Sequence, residues 1–148
     1  MESNIRVNAE LVREVAREQI GIAVDYDEAG VRWLDKYIDE QRIAASDEVK
    51  NRLPSTLGSF LGECIRHTYG GLWTQDTDTG NWAVKINDKL SAFPFTKVQK
   101  QMAGGEGDSV LGLFTAIAGL LTVAPLTAEN RNQQVSAPWW RFWRRDVP

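Results

Sequence analysis

The chain has little of the chemistry that metal centres and covalent catalysis draw on: among 148 residues there is one cysteine, Cys64, and one histidine, His67. A lone cysteine excludes a disulfide within the chain, and one Cys with one His excludes a closed Cys/His zinc centre. Positive charge is not in excess either. The formal net charge is −3, which gives no general attraction to a phosphate backbone, so no nucleic acid is expected as a partner. Long apolar runs are missing as well. The longest, Val110 to Ala124, holds two glycines and two threonines and falls short of the roughly 20 residues a membrane-spanning helix needs. A buried, central core helix is expected there. Met1-Glu2-Ser3-Asn4 lacks the basic-then-apolar pattern of a secretory leader, which makes a reducing cytoplasm the expected compartment.

What is present suits one domain: 43% hydrophobic and 25% charged residues over a length that closes one core. Asn8 can cap a first helix with Leu11, Val12, Val15 and Ala16 at helical spacing, ending near Gly21. Asp25 followed by Glu28 has the spacing of a capping box, and Val31, Leu34, Tyr37 and Ile38 then define a second helical face, with Arg32–Asp35 and Lys36–Glu40 pairs opposite. Ser46-Asp47-Glu48 opens a short turn, and Pro54-Ser55 starts a third helix with Leu57, Phe60, Leu61, Cys64, Ile65 and Thr68 along its stripe, closed by Gly70-Gly71. Gly58 and Gly62 lie about one turn apart on it, and each costs about 1 kcal/mol of helix propensity, which predicts close approach of another backbone.

From Leu72 the texture changes to strands. Leu72-Trp73-Thr74 and Trp82 to Ile86 flank a turn-rich Asp76 to Asn81, predicting a hairpin. A third short strand around Ser91 to Phe93 stops at Pro94, and Thr96 to Met102 reads as a short basic helix. Gly104 to Gly107 is a loop, with Asp108 placed to cap the apolar helix that runs from Ser109 to about Ala124. The expected fold is α+β: helices on one face of a small antiparallel sheet that includes a β-hairpin. The expected organisation is a compact domain over residues 1–124, a polar linker over 125–138 and an aromatic and arginine-rich tail over 139–148.

Several pieces resemble a family of small bacterial proteins known only as a domain of unknown function: Trp33-Leu34-Asp35, Leu57-Gly58-x-x-Leu61-Gly62-Glu63, Gly70-Gly71-x-Trp73, Phe93-Pro94-Phe95-x-Lys97-Val98 and Gly105-Glu106-Gly107-Asp108-Ser109-Val110. The similarity spans roughly Val31 to Phe114. It implies a bacterial origin and one compact domain, and it carries over neither a catalytic residue nor a ligand. Linker and tail lie outside it.

Each candidate for chemistry has a structural counterpart. Cys64 and His67, three apart, could form a thiol–imidazole pair, but Cys64 falls on the apolar stripe, where a buried thiol behaves as a small hydrophobe. Asp76-x-Asp78-x-Gly80 resembles the start of a calcium loop, yet Asn81 and Asn87 stand where a glycine and a bidentate acid belong, so a hairpin turn is the preferred reading. The glycine loop before Ser109 lacks the Lys-Ser/Thr of a P-loop, and Glu106 and Asp108 would repel phosphate. Glu63 could project toward a groove, although an exposed or capping role is preferred. No cofactor and no metal are expected.

The tail is the sharpest feature. Trp139, Trp140, Phe142 and Trp143 interleave with Arg141, Arg144 and Arg145, and three of the six tryptophans lie there. At about 100° per residue the aromatics occupy an arc of roughly 160° and the arginines the opposite one of roughly 100°. Such a segment can dock on its own domain, on a partner or second subunit, or in an anionic membrane interface. The function this supports is a non-enzymatic protein-interaction or regulatory module of adaptor or immunity type, with the tail residues binding a partner or a second copy. The alternative is a small enzyme or ligand-binding protein with a cleft near Glu63 and His67.

Overall fold

The computed structural model describes residues 2–21, 23–104, 107 and 109–123. The linker, the aromatic and arginine-rich tail, and Asp108 with its expected cap lie outside the described residues. Helices α1 (Glu2–Ile20), α2 (Glu28–Ala44) and α3 (Asp47–Tyr69) precede strands β1 (Leu72–Gln75), β2 (Trp82–Asn87) and β3 (Leu90–Ala92), and α4 (Pro94–Met102) and α5 (Val110–Val123) follow. The fold is therefore α+β, with helices packed against a three-stranded antiparallel meander in the order β1-β2-β3. Trp73 pairs with Val84 and Val84 with Ala92, and this row of buried side chains is the sheet's contribution to the core. No helix among the described residues is long and apolar enough to cross a membrane.

The starts of the first three helices differ from their sequence expectation. α1 begins at Glu2, so Asn8 sits inside it; Ile5 extends the buried stripe one turn earlier, and the Glu2–Arg6 pair at 2.9 Å spans the first turn. The cap of α2 is Asp27, not Asp25: its extended backbone (φ −147°) lets the carboxylate accept from Gly30 N at 3.0 Å. Asp25 instead accepts from Arg13 Nη2 at 3.0 Å, while Arg13 Nε donates to Val24 O at 2.8 Å, which pins the α1–α2 connection to α1. Ser46-Asp47-Glu48 is the true start of α3, with Ser46 Oγ accepting from Val49 N at 3.3 Å, and Pro54 lies inside the helix. An interior proline costs on the order of 3 kcal/mol. Here it is buried, and the turns that follow it, Leu57 to Ile65, are buried as well.

The depth of α5 also differs from expectation. α3, not α5, is the central helix: every residue from Leu57 to Ile65 is buried, and α1, α2, α4 and β2 all pack on it. α5 lies at the periphery, chiefly against α2. It buries Val110, Leu113, Phe114 and Ile117 and turns Gly112, Thr115 and Gly119 outward. Its high hydropathy comes partly from small residues that bury little area, so composition overstated its depth. β3 and α4 begin slightly earlier than expected, with Pro94 as the first residue of α4, where a missing N–H costs nothing.

Candidate functional site

The glycines of α3 are where three of the resembling pieces converge. A Cβ at Gly62 would collide with the six-membered ring of Trp73 and lie 3.2 Å from Pro94 Cγ, and one at Gly58 would lie 2.9 Å from Phe95 Cα. The close approach is thus made by two aromatic residues, with backbone involved only at Phe95. Trp73 and Phe95 in turn lie 5.7 Å apart, centroid to centroid. At Gly71, where φ is +124°, a Cβ would meet Lys85 O at 2.8 Å, so the chain reversal into β1 needs glycine on both counts. These pieces build the contact between α3, the sheet and α4.

Glu63 belongs to the same contact. It is only 3% exposed and so not on the surface, and its carboxylate is occupied: Trp73 Nε1 donates at 2.8 Å, Arg66 Nε at 2.9 Å and Arg66 Nη2 at 3.2 Å. Burial pushes the carboxyl pKa up, but the Arg66 and Trp73 hydrogen bonds and the charges of Arg66 and His67 outweigh it and hold the group below its ordinary value. His67 Nε2 lies 3.5 Å from Glu63 Oε1, and its ring packs 4.8 Å from Tyr26. Cys64 is fully buried, and burial drives its thiol pKa far upward, which suppresses the thiolate that nucleophilic chemistry requires. This part of the molecule is a buried brace.

A second network sits at the start of α5, where α2, α4 and α5 meet. Asp35 Oδ1 accepts from Ser109 Oγ at 2.6 Å, Gln101 Nε2 at 3.1 Å and Leu111 N at 3.4 Å, while Gln101 Oε1 accepts from Val110 N at 2.9 Å. Ser109 Oγ accepts from Gly112 N at 3.2 Å. The first turn of α5 is therefore capped by side chains of three elements, a reading that sequence spacing misses because Asp35 and Ser109 are 74 residues apart. Asp35 is committed inward, which explains why Arg32 pairs with Glu28 and not with Asp35.

The Asp76 turn is closed by its own backbone and side chains: Asp76 N donates to Asn81 O at 2.8 Å, Gly80 N to Asp76 O at 2.7 Å, and Asp78 N to Asp76 Oδ1 at 2.9 Å. Among the described residues no three His, Cys, Asp or Glu side chains converge as a metal site. Two open grooves lie away from Glu63. One of about 500 Å³ runs between α3 and α4, lined by Asp47, Lys50, Pro54, Gln99 and Met102. The other, of about 420 Å³, lies over Lys97, Ser109, Gly112 and Ala116.

The outer surface of α1 has a different character. Ile5, Ala9, Val12 and Ala16 form its buried stripe. Val7, Leu11 and Val15 form a second apolar row, centred about 130° away at about 100° per residue. Val7 is 67% and Leu11 49% exposed, and Val15 is half-buried. Glu14 and Glu18 lie along this row, both exposed, and neither has an ion-pair partner among the described residues. Sequence reasoning placed Leu11 and Val15 on the core face together with Val12 and Ala16. The two-sided pattern was readable, but only burial shows which row faces α3. Comparison with protein families, curated proteins and solved structures returned no match to this chain.

Proposed function

We propose that the protein is a non-enzymatic interaction module of adaptor, immunity or regulatory type, whose contact elements are the outer face of α1 and the segment Trp139–Arg145. The observation that carries this reading is the second apolar row of α1, Val7, Leu11 and Val15, turned away from the core. Of the groups that sequence spacing offered for chemistry, Glu63 is committed to Arg66 and Trp73 and the Cys64 thiol is buried. An apolar row of this kind, rimmed by acids and joined to an aromatic and arginine-rich segment, has the composition of a protein contact surface.

The test is a Val7→Asp/Leu11→Asp variant of the full chain. Both side chains are exposed, so circular dichroism and the urea midpoint should be unchanged, within roughly 0.5 kcal/mol. In parallel affinity captures from the producing cells, proteins retained reproducibly by the wild type should be lost by the variant. Identical capture by both chains would remove α1 from the interaction surface.

A further inference from the structure

The two contact elements also fit each other. Resting on the interaction reading above, we propose that, without a partner, the outer face of α1 is covered by residues 139–145 of the same chain, so that a partner must displace this segment to bind. Four observations lead there.

First, the surface is acidic and apolar, and the segment is basic and aromatic. Glu14 and Glu18 are exposed along the Val7–Leu11–Val15 row, and the basic residues of α1, Arg6, Arg13 and Arg17, fall on another side of the helix by the same winding. The Arg13 guanidinium is moreover engaged by Glu10 and Asp25. Second, residues 139–145 carry three arginines and no acid. On a helical winding Arg144 and Arg145 flank the aromatic arc on its two sides, where they can reach acids beside an apolar row.

Third, the reach is sufficient. Fifteen residues, 124–138, separate Val123 from Trp139; extended, they span roughly 50 Å. A body of this size has a radius of gyration of about 14 Å, so α1 is within range from the end of α5. Fourth, three aliphatic side chains cover far less than the ~800 Å² per partner of a stable standard-sized complex. They are too small a surface to hold a second copy alone, but a tethered segment binds at an effective concentration in the mM range for a short flexible linker. Three tryptophans and a phenylalanine can bury roughly 150–250 Å² each, enough for a weak contact that a partner with a larger interface displaces.

The experiment uses the full chain with a nitroxide at Asn4→Cys, on the same face of α1; Cys64 is buried, so the label goes to position 4. The six tryptophan indole N–H signals are followed by NMR, assigned by single Trp→Phe changes. The expected result is that the Trp139, Trp140 and Trp143 signals lose most of their intensity at low salt, independently of protein concentration. A label at Asp88→Cys should leave them intact. Glu14→Lys/Glu18→Lys should restore the three signals, and adding Arg144→Glu/Arg145→Glu should broaden them again.

Unbroadened tail signals in the Asn4 sample would overturn the proposal. So would comparable broadening when labelled chains are mixed with isotope-enriched unlabelled ones, which would assign the surface to a second copy. This measurement contains no partner, whereas the capture test reads partner binding, so either idea can fail without the other.

Discussion

Replacing Gly62 by alanine sets two opposed effects against each other, and the structure decides the sign. In a helix interior, Gly→Ala gains about 1 kcal/mol of helix propensity. At Gly62 the new methyl would be driven into the Trp73 ring at Cη2 and Cζ2, with Pro94 Cγ 3.2 Å away on another side. The ring has little freedom to withdraw, because its Nε1 is held by Glu63 at 2.8 Å and Phe95 packs beside it. Overpacking of a dense core costs about 1–3 kcal/mol and more when neighbours are pinned. Gly62→Ala is therefore expected to lose about 1–2 kcal/mol net, read as a lower urea midpoint at unchanged m-value.

The same change in a Trp73→Phe background meets no six-membered indole ring, so its cost should fall by at least about 1 kcal/mol, a coupling measurable as a double-mutant cycle. A neutral or stabilising Gly62→Ala, or an equal cost with and without the indole, would refute the packing argument.

Glu63→Gln removes the charge that strengthens the hydrogen bonds from Arg66 and Trp73 and should cost about 2 kcal/mol at pH 7, in the range for charge-assisted bonds. Because the folded-state pKa lies below the ordinary value, the wild type's advantage is fully present above the unfolded carboxyl's pKa of about 4.3. It is lost as pH falls through the folded value, so urea titrations of the two proteins should converge in acid; a constant gap would contradict the assignment. Asp35→Ala takes the shared acceptor from the first turn of α5 and should cost about 1–2 kcal/mol, as loss of a cap does. Amide exchange in α5 should quicken more than in α3, and uniform acceleration would count against a local cap. Cys64 should react with a thiol reagent only on unfolding, since burial raises its pKa and shields it. Rapid labelling of the native protein would show the thiol to be accessible.

Much of the fold was legible because local periodicity and turn chemistry act over a few residues. The apolar faces of α2 and α3, the Asp76–Asn81 hairpin turn and the stop at Gly70-Gly71 all follow from spacing that the chain carries itself. Helix starts were less legible. Asp25 and Asp27 are both competent caps, and only the Arg13 contact from α1, twelve residues away, removes Asp25 from the competition. Pro54 satisfies every local rule for a first helical residue, yet Ser46 caps the helix two turns earlier and Pro54 is one of its buried interior residues.

The candidate chemistry divides the same way. That Cys64 lies on an apolar stripe is a property of its spacing, so its burial was foreseeable. That Glu63 is a buried brace was not, since Arg66 is on its own helix but Trp73 reaches it only after the chain reverses at Gly70-Gly71 and β1 folds back over α3. By itself the sequence determined the number of elements, their class, and the aromatic and arginine-rich character of residues 139–145, because each depends on neighbours within a turn or a strand. Only the tertiary structure decided that α3 and not α5 is central, that Asp35 caps a helix 74 residues away, and which apolar row of α1 is left outside. Depth is set by how many other elements surround a helix, and no local pattern records that.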